Sequence, residues 1–148
     1  MPEILKDFPN TRWHEEARLV TWYPRGTLDD DLADRVVDFM ESEERIADTP
    51  FHRYTDFDGL TEIRLQFGHA FKIAERRKAS YAGGPPVKSA IYCDWIVGFG
   101  MARLYAELMK DCPIEVRAFR DRKAAAEWLG VPVNILLAGR ERSANGDT

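Results

Sequence analysis

The sequence contains few of the residues and runs that mark a metal site, a disulfide-linked protein or a membrane span. It has two cysteines and three histidines in 148 residues, and these side chains show no metal-ligand spacing. No apolar run approaches the roughly 20 residues that a membrane helix needs, and the amino terminus lacks a basic segment followed by an apolar stretch. We therefore expect a cytoplasmic protein with reduced thiols and with no metal, cofactor or membrane span.

Motifs for nucleotide binding and for serine hydrolysis are absent as well. The sequence has no G-x-G-x-x-G, no G-x-x-x-x-G-K-[ST] and no G-x-S-x-G, so the usual sequence support for these activities is missing. The net charge is -4 and the isoelectric point is about 5.4. Because the overall field of such a protein repels a phosphate backbone, we expect no nucleic-acid partner.

The sequence does contain a regular alternation of strand and helix patterns. Segments rich in β-branched and aromatic residues are separated by segments that repeat apolar residues at helical spacing. The predicted strands are a short one around Trp13 and longer ones over 18–23, 51–57, 87–94 and 114–119, and the predicted helices cover 29–47, about 61–78, about 97–108 and 122–129. Such alternation implies parallel strands joined by right-handed crossovers. We predict an α/β fold with a mixed, mostly parallel sheet of about four to five strands and about four helices in βα units.

The length predicts one domain, because 148 residues are too few for two ordinary domains with cores of their own. We place this domain at residues 12–132, after a loose segment at 1–11 and before a largely flexible tail at 133–148. Residues 87–94 are the best candidate for a central strand. Residues 114–119 alternate apolar with charged or aromatic residues, which is typical of a strand near an edge.

Three stretches of the sequence form one further pattern, namely RLVTWYPRGTL with the acidic helix after it, the strand that ends in Asp, and EVRAFRDRKAAAEWLG. Together they resemble the STAS superfamily, named after sulfate transporters and anti-sigma factor antagonists, and in particular its SpoIIAA-like branch. The resemblance covers about residues 13–131 and is strongest at the last stretch, where a strand ending in Phe119 leads through a charged turn to an alanine-rich helix. It implies a SpoIIAA-like fold and a non-catalytic regulatory role exerted through protein contacts.

The same resemblance singles out Thr61. Antagonists in this superfamily carry a phosphorylatable serine at the amino end of the helix after the central strand, and this position corresponds to the junction from Asp58 to Thr61. The segment DFDGLTE offers one hydroxyl group there, that of Thr61. Thr61 is therefore either a phosphoacceptor or an N-cap whose hydroxyl accepts a backbone N–H, and the N-cap is favoured because threonine is common at that position.

Two further aspartates follow predicted strands, at the edge where α/β domains gather ligand contacts. Asp58 and Asp94 are candidates for such loop-end contacts, although an aspartate at this place more often caps the next helix. Cys93, beside Asp94, would need a lowered pKa to act as a nucleophile, and we consider an enzyme that uses this pair the least favoured class. The basic run from Arg120 to Lys123 is interpreted as a solvated turn.

Aromatic residues on the predicted core elements leave two functions open. Ordinary packing is the simpler explanation, but helices set slightly apart from the sheet would leave an apolar pocket for a lipid-like ligand. The chain is therefore either an interaction domain with a regulatory protein partner, or a binder or carrier of a small apolar ligand, and a homodimer stays open in both cases. The candidate pocket residues are Trp22, Phe67, Phe71, Trp95 and Phe99.

Overall fold

Strands and helices alternate through residues 8–137, the part of the chain that the computed structural model describes. The strands are β1 (Thr11–His14), β2 (Leu19–Trp22), β3 (Gly26–Asp29), β4 (His52–Asp56), β5 (Leu60–Arg64), β6 (Val87–Tyr92) and β7 (Ile114–Phe119). The helices are α1 (Asp30–Ile46), α2 (Phe67–Ser80), α3 (Ile96–Leu108) and α4 (Arg122–Leu129), and a short helical stretch over 133–137 follows α4. Among the helices of residues 8–137, none has both the length and the apolar character needed to cross a membrane.

The main sheet of the described residues has five strands in the order β1-β2-β4-β6-β7. The first pair, β1 and β2, is antiparallel, and β2, β4, β6 and β7 pair in parallel. The predicted α/β fold with a mixed, mostly parallel sheet is confirmed, and so are the interior position of β6 and the edge position of β7. On β7, the exposed side chains of Glu115 and Arg117 form an ion pair at 3.2 Å.

A second, two-stranded sheet is not predicted by the sequence patterns. In it, β3 pairs in parallel with β5. The strand β5 occupies residues where a helix is predicted to begin, and α2 starts only at Phe67. The prediction is wrong here because Leu60 and Ile63 fit a helical stripe as well as a strand, and pairing with β3 decides between the two.

Helices cover the main sheet on both faces. On one face, α1, α2 and α3 contribute to the same apolar cluster as Ile91 of β6. On the other face, α4 packs with Tyr54 of β4 and Tyr92 of β6. Since successive side chains of a strand point to opposite faces, β4 directs Arg53 toward α1 to α3 and directs Asp56 toward α4.

Packing extends beyond both predicted domain limits. Before residue 12, Phe8 is buried, and its ring centroid lies 5.9 Å from that of Trp22 and 5.2 Å from that of Phe39. After residue 132, Leu136 is fully buried beside α4, and its carbonyl oxygen accepts a hydrogen bond from Tyr23 Oη at 2.6 Å. These contacts correct the predicted limits of 12 and 132, because burial of apolar area holds both segments on the domain. The remainder of the predicted loose ends, residues 1–7 and 138–148, lies outside the described residues.

The start of α3 lies close to the end of β6 because Gly98 has no side chain. A Cβ atom at this position would lie 2.3 Å from Cys93 Sγ and 3.2 Å from the ring of Trp95. At Gly100, an added Cβ atom would meet no packing neighbour within 4 Å. Of the two glycines in the sequence GFG, Gly98 is therefore the one that permits close packing.

We expect Gly98→Ala to lower the free energy of unfolding by about 1–3 kcal/mol, because the added methyl group overpacks a filled region. Gly100→Ala is the matched control. It should raise the free energy of unfolding by up to about 1 kcal/mol, since alanine has the better helix propensity and the space is open. Urea unfolding measures both changes, and Cys93→Ala in the Gly98→Ala background should recover part of the loss. Equal stability of the two glycine variants would contradict this account of the packing.

Candidate functional site

A buried carboxylate lies at the carboxyl end of β4. The residue Asp56 is 1% exposed, and its Oδ2 accepts hydrogen bonds from Tyr54 Oη at 2.7 Å and from Arg122 Nε at 2.8 Å. Its Oδ1 accepts the backbone N–H of Asp58 at 2.9 Å and Arg122 Nη2 at 3.3 Å. The guanidinium and the carboxylate therefore meet through two hydrogen bonds, a geometry that adds both strength and direction. We call Tyr54, Asp56, Asp58 and Arg122 the Asp56 network.

The start of α4 positions the cation of this network. Asp121 is the N-cap of α4, and its side chain accepts the backbone N–H of Lys123 at 3.1 Å. The first helical residue, Arg122, then points over the end of the sheet, where its Cζ lies 4.1 Å from the ring centroid of Tyr92. The interpretation of this run as a solvated turn is thus wrong for Arg122, because its charge is matched by Asp56 rather than by water.

Tyr54 and Arg122 of the Asp56 network each keep one protonation state near neutral pH. Burial, together with the charge of Asp56, raises the pKa of Tyr54. Burial acts to lower the pKa of Arg122, but the hydrogen bond and charge of Asp56 outweigh this effect and raise it. Tyr54 therefore remains a neutral donor and Arg122 a cation near neutral pH. Since general acid–base catalysis needs a group whose pKa lies near the operating pH, the network is suited to fastening α4 to the sheet and not to proton transfer.

The two predicted loop-end aspartates lie at neighbouring strand ends but take different roles. The exposed Asp58 follows β4, and its carboxylate lies 3.6 Å from Arg122. The exposed Asp94 follows β6, and its backbone oxygen accepts a hydrogen bond from Arg120 at 2.8 Å. The N-cap of α3 is Trp95, which forms no side-chain capping bond, so the interpretation of Asp94 as a helix cap is wrong. A role of Asp58 and Asp94 in contacts with a ligand stays a prediction.

The environment of Cys93 does not favour a nucleophile. Its side chain is fully buried, and its Sγ donates a hydrogen bond to the carbonyl oxygen of Trp95 at 3.5 Å. Burial raises the pKa of this thiol, so the reactive thiolate is disfavoured near neutral pH. Within residues 8–137, no three His, Cys, Asp or Glu side chains come together in a way that suits a metal ion.

The structure places Thr61 on a strand instead of at a helix start. It is an exposed residue of β5, and its Oγ1 donates a hydrogen bond to the carbonyl oxygen of Gly26 at 3.2 Å. The predicted N-cap is therefore wrong, because the residue that precedes α2 is Gln66, which has no side-chain capping bond. The phosphoacceptor interpretation stays a prediction.

A cavity of about 170 Å³ lies between the main sheet and the helices α1, α2 and α3. Each helix contributes a buried alanine to its wall, namely Ala33 from α1, Ala70 from α2 and Ala102 from α3. Most of the remaining wall is aliphatic or aromatic. The cavity exists because three neighbouring helices present small side chains where larger ones would fill the space between the layers.

Four of the five aromatic residues predicted to form an apolar pocket do not line the cavity. Trp22 lines the cavity. Phe67 and Phe71 are exposed on α2, while Trp95 and Phe99 pack against the apolar cluster without lining the cavity. The predicted pocket is corrected in these positions because α2 turns a different stripe inward, which consists of Ala70, Ile73, Ala74 and Arg77.

Charged residues in the cavity wall belong to a buried ion cluster. Arg53 of β4 and Arg77 of α2 both line the cavity, and both bind Glu44 of α1. The Arg53 Nη2 atom donates to Glu44 Oε2 at 2.6 Å, and Arg77 Nη1 donates to Glu44 Oε1 at 3.0 Å. A second carboxylate of α1, Glu41, lies 3.7 Å from Arg77. We call Glu41, Glu44, Arg53 and Arg77 the Glu44 cluster.

The sequence carries a signal for this cluster that pattern analysis overlooks. Arg53 stands inside a predicted strand between Phe51 and Tyr54, and a charge in a buried strand needs a partner. Burial lowers the pKa of Arg53, and the charge of Glu44 acts against this effect. The partner itself is not identifiable from the pattern, because several acidic residues of α1 would serve equally well.

We expect Asp56→Asn to lower the free energy of unfolding by about 3–5 kcal/mol, since it removes the charge that matches a largely buried guanidinium. Asp58→Asn is the matched control, because this exposed carboxylate contacts the same Arg122 at a longer distance of 3.6 Å. Its cost should stay below about 1 kcal/mol, as for other surface ion pairs. Chemical unfolding of both variants provides the measurement. Similar losses for the two aspartates would show that Asp56 does not anchor α4.

Comparisons with known proteins give a match of fold. No protein-family model matches the chain, and no curated protein matches it significantly. Among solved structures, the chain is similar to an uncharacterized protein of the DUF3478 family with a SpoIIAA-like fold from Shewanella loihica PV-4. The two chains are 18% identical, the match covers 75% of this chain and 83% of the other, and the TM-score is 0.48. This is a likeness of fold between two chains of low identity, and no conclusion about the role of this chain follows from it.

Proposed function

We propose that this chain is a non-enzymatic binding module that takes up a small apolar molecule between its main sheet and helices α1 to α3. The observation that carries this proposal is the cavity of about 170 Å³ with its largely apolar wall. An engineered apolar cavity of about 150 Å³ in another protein stays dry and accepts benzene. The space in this chain is therefore of the right size for a molecule with one aromatic ring.

The energetic cost of an empty cavity supports the same proposal. Cavities left by core substitutions cost about 24 cal/mol per Å³, so apolar space that is not filled destabilises a fold. A native domain is stable by only roughly 5–15 kcal/mol, so such a cost matters. A ligand that fills the space recovers part of this free energy through dispersion contacts with the wall.

The cavity predicts that benzene, toluene and α-methylstyrene raise the unfolding temperature of the protein, because each would bind the folded state alone. At a ligand concentration of about 100 times Kd, the gain should be about 2.7 kcal/mol. Native mass spectrometry of the purified protein tests in addition whether a small molecule is retained from the cell. If no compound of this class shifts unfolding and the mass is that of the free chain, the proposal is wrong.

Ala70→Leu tests whether the ligand occupies this cavity. The added carbons fill the space, so the variant should keep or gain stability while it loses the ligand-induced shift. Ala79→Leu on the exposed face of the same helix is the matched control and should retain the shift. A shift of equal size in Ala70→Leu and Ala79→Leu would place the ligand elsewhere.

A second candidate function is that of a regulatory or interaction domain that acts through protein contacts. It is favoured by exposed apolar side chains at the first turns of the neighbouring helices α2 and α3. Ile96 is 77% exposed and Phe67 is 60% exposed, and Val97 and Phe71 lie beside them in their helices. Exposed apolar groups at adjacent helix ends are typical of a contact surface.

The partner that we test first for this surface is a second copy of the chain. If the helix ends associate, analytical ultracentrifugation should show a dimer that Ile96→Ser together with Phe67→Ser weakens at least about tenfold, since buried apolar anchors dominate interfaces. Ile46→Ser removes an equally apolar, exposed side chain at the end of α1 and should leave the dimer unchanged. A monomer at every concentration would exclude self-association through this surface.

A further inference from the structure

The part of the cavity wall that the sheet provides is more polar than the part that the helices provide. Arg53 of β4 and Ser89 of β6 lie directly opposite each other in the parallel register, and both line the cavity. They therefore project from neighbouring strands on the same face. A purely apolar ligand would make no hydrogen bond with Arg53 or Ser89. A ligand that also carries a polar group fits this part of the wall better.

One donor of Arg53 has no partner. The Arg53 side chain is 6% exposed, its Nη2 donates to Glu44, and its Nη1 donates to the carbonyl oxygen of Phe51. Among the residues that the structure describes, no acceptor binds its Nε. The rings of Phe51 and Tyr81 lie 4.4 and 5.5 Å from the guanidinium carbon, but a ring face does not replace an acceptor in the plane of the N–H group. Most buried polar groups are hydrogen-bonded, so this exception calls for an acceptor.

The charge balance around Arg53 decides what kind of acceptor fits. Arg53 and Arg77 are matched by Glu44 and Glu41, and Arg76 at the edge of this group pairs with Glu41 and with Asp38. These cations and carboxylates balance within the group, so a further full negative charge would be buried without a counter-ion. A neutral oxygen acceptor satisfies Nε without this cost.

From this geometry we infer that the ligand of the cavity is a single-ring molecule with a carbonyl oxygen, which Arg53 Nε and the Ser89 hydroxyl bind while the ring fills the apolar space. The inference rests on the proposed function, because it specifies the ligand of the same cavity. The aliphatic wall provides most of the affinity, and the two donors select for the carbonyl group. A site built to donate to an acceptor discriminates against an analogue that lacks it, because its own donors are then left unpaired.

Acetophenone and α-methylstyrene test the inference in the unmodified protein. The two molecules have nearly the same planar shape, but acetophenone carries an oxygen where α-methylstyrene has a CH₂ group. Calorimetric or NMR titration should give a Kd for acetophenone at least about tenfold lower than that for α-methylstyrene, as expected for a hydrogen bond to a charged donor. Benzoate should bind more weakly than acetophenone, because its charge has no counter-ion in the cavity.

Two variants test which side chains cause the preference for acetophenone over α-methylstyrene. Arg53→Lys keeps a positive charge beside Glu44 but removes Nε, and it should reduce the preference for acetophenone to about twofold or less. Ser89→Ala removes the hydroxyl and retains the guanidinium, so it should lower the preference in part, and it remains informative if Arg53→Lys does not fold. Thr61→Val, at an exposed position of β5 that is not part of the cavity wall, should leave the preference unchanged.

The outcomes separate this inference from the proposed function. Binding of neither compound would overturn both, whereas equal binding of the two compounds would overturn the carbonyl assignment and leave the apolar cavity as the binding site. Tighter binding of benzoate than of acetophenone would show that the site takes an anion. If the preference for acetophenone is unchanged in both Arg53→Lys and Ser89→Ala, other groups cause it, and the inference is wrong.

Discussion

A single strand, β4, carries a buried charge to each face of the main sheet, and the surrounding helices match these two charges. Asp56 binds Arg122 at the start of α4, whereas Arg53 binds Glu44 of α1, which in turn binds Arg77 of α2. Leaving such a charge without its partner costs about 3–5 kcal/mol. A helix docked in another place or register would pay this cost, so the ion pairs restrict where each helix can lie on a sheet whose apolar residues alone are less selective.

Much of this fold could be predicted from the sequence, because strand and helix periods differ and the apolar residues follow them. The interior position of residues 87–92, the edge position of 114–119 and the capping of α4 by Asp121 all follow from local patterns. The strand at Thr61 could not be predicted, since it forms by pairing with β3, and the Thr61 hydroxyl donates to the carbonyl oxygen of Gly26, 35 residues away. The partners Asp56 and Arg122 are 66 residues apart, and periodicity carries no information about such pairs.

The candidate site shows a related limit of sequence patterns. Aromatic residues suggested a pocket, and the cavity does lie between the sheet and helices, but small residues make it. Ala33, Ala70 and Ala102 are inconspicuous in the sequence because alanine is common in every helix. In the same way, Arg53 becomes informative only when two structural facts are combined: it lines that space, and its Nε has no hydrogen-bond partner within residues 8–137. The sequence pattern identifies the layer of the fold in which a site lies. The chemistry of the site depends on side chains from different layers that contact each other.

The charged pair on β7 has a consequence for how copies of this chain could meet. An edge strand offers unpaired backbone groups to any other strand, and exposed charges are a common protection against such pairing. In an antiparallel pair of two β7 strands centred on Val116, Glu115 of each copy would face Arg117 of the other, so these charges would attract each other across the strands. A strand that carries like charges repels its own copy, whereas the alternating charges of β7 do not, so this edge has no electrostatic barrier against antiparallel pairing with a second β7.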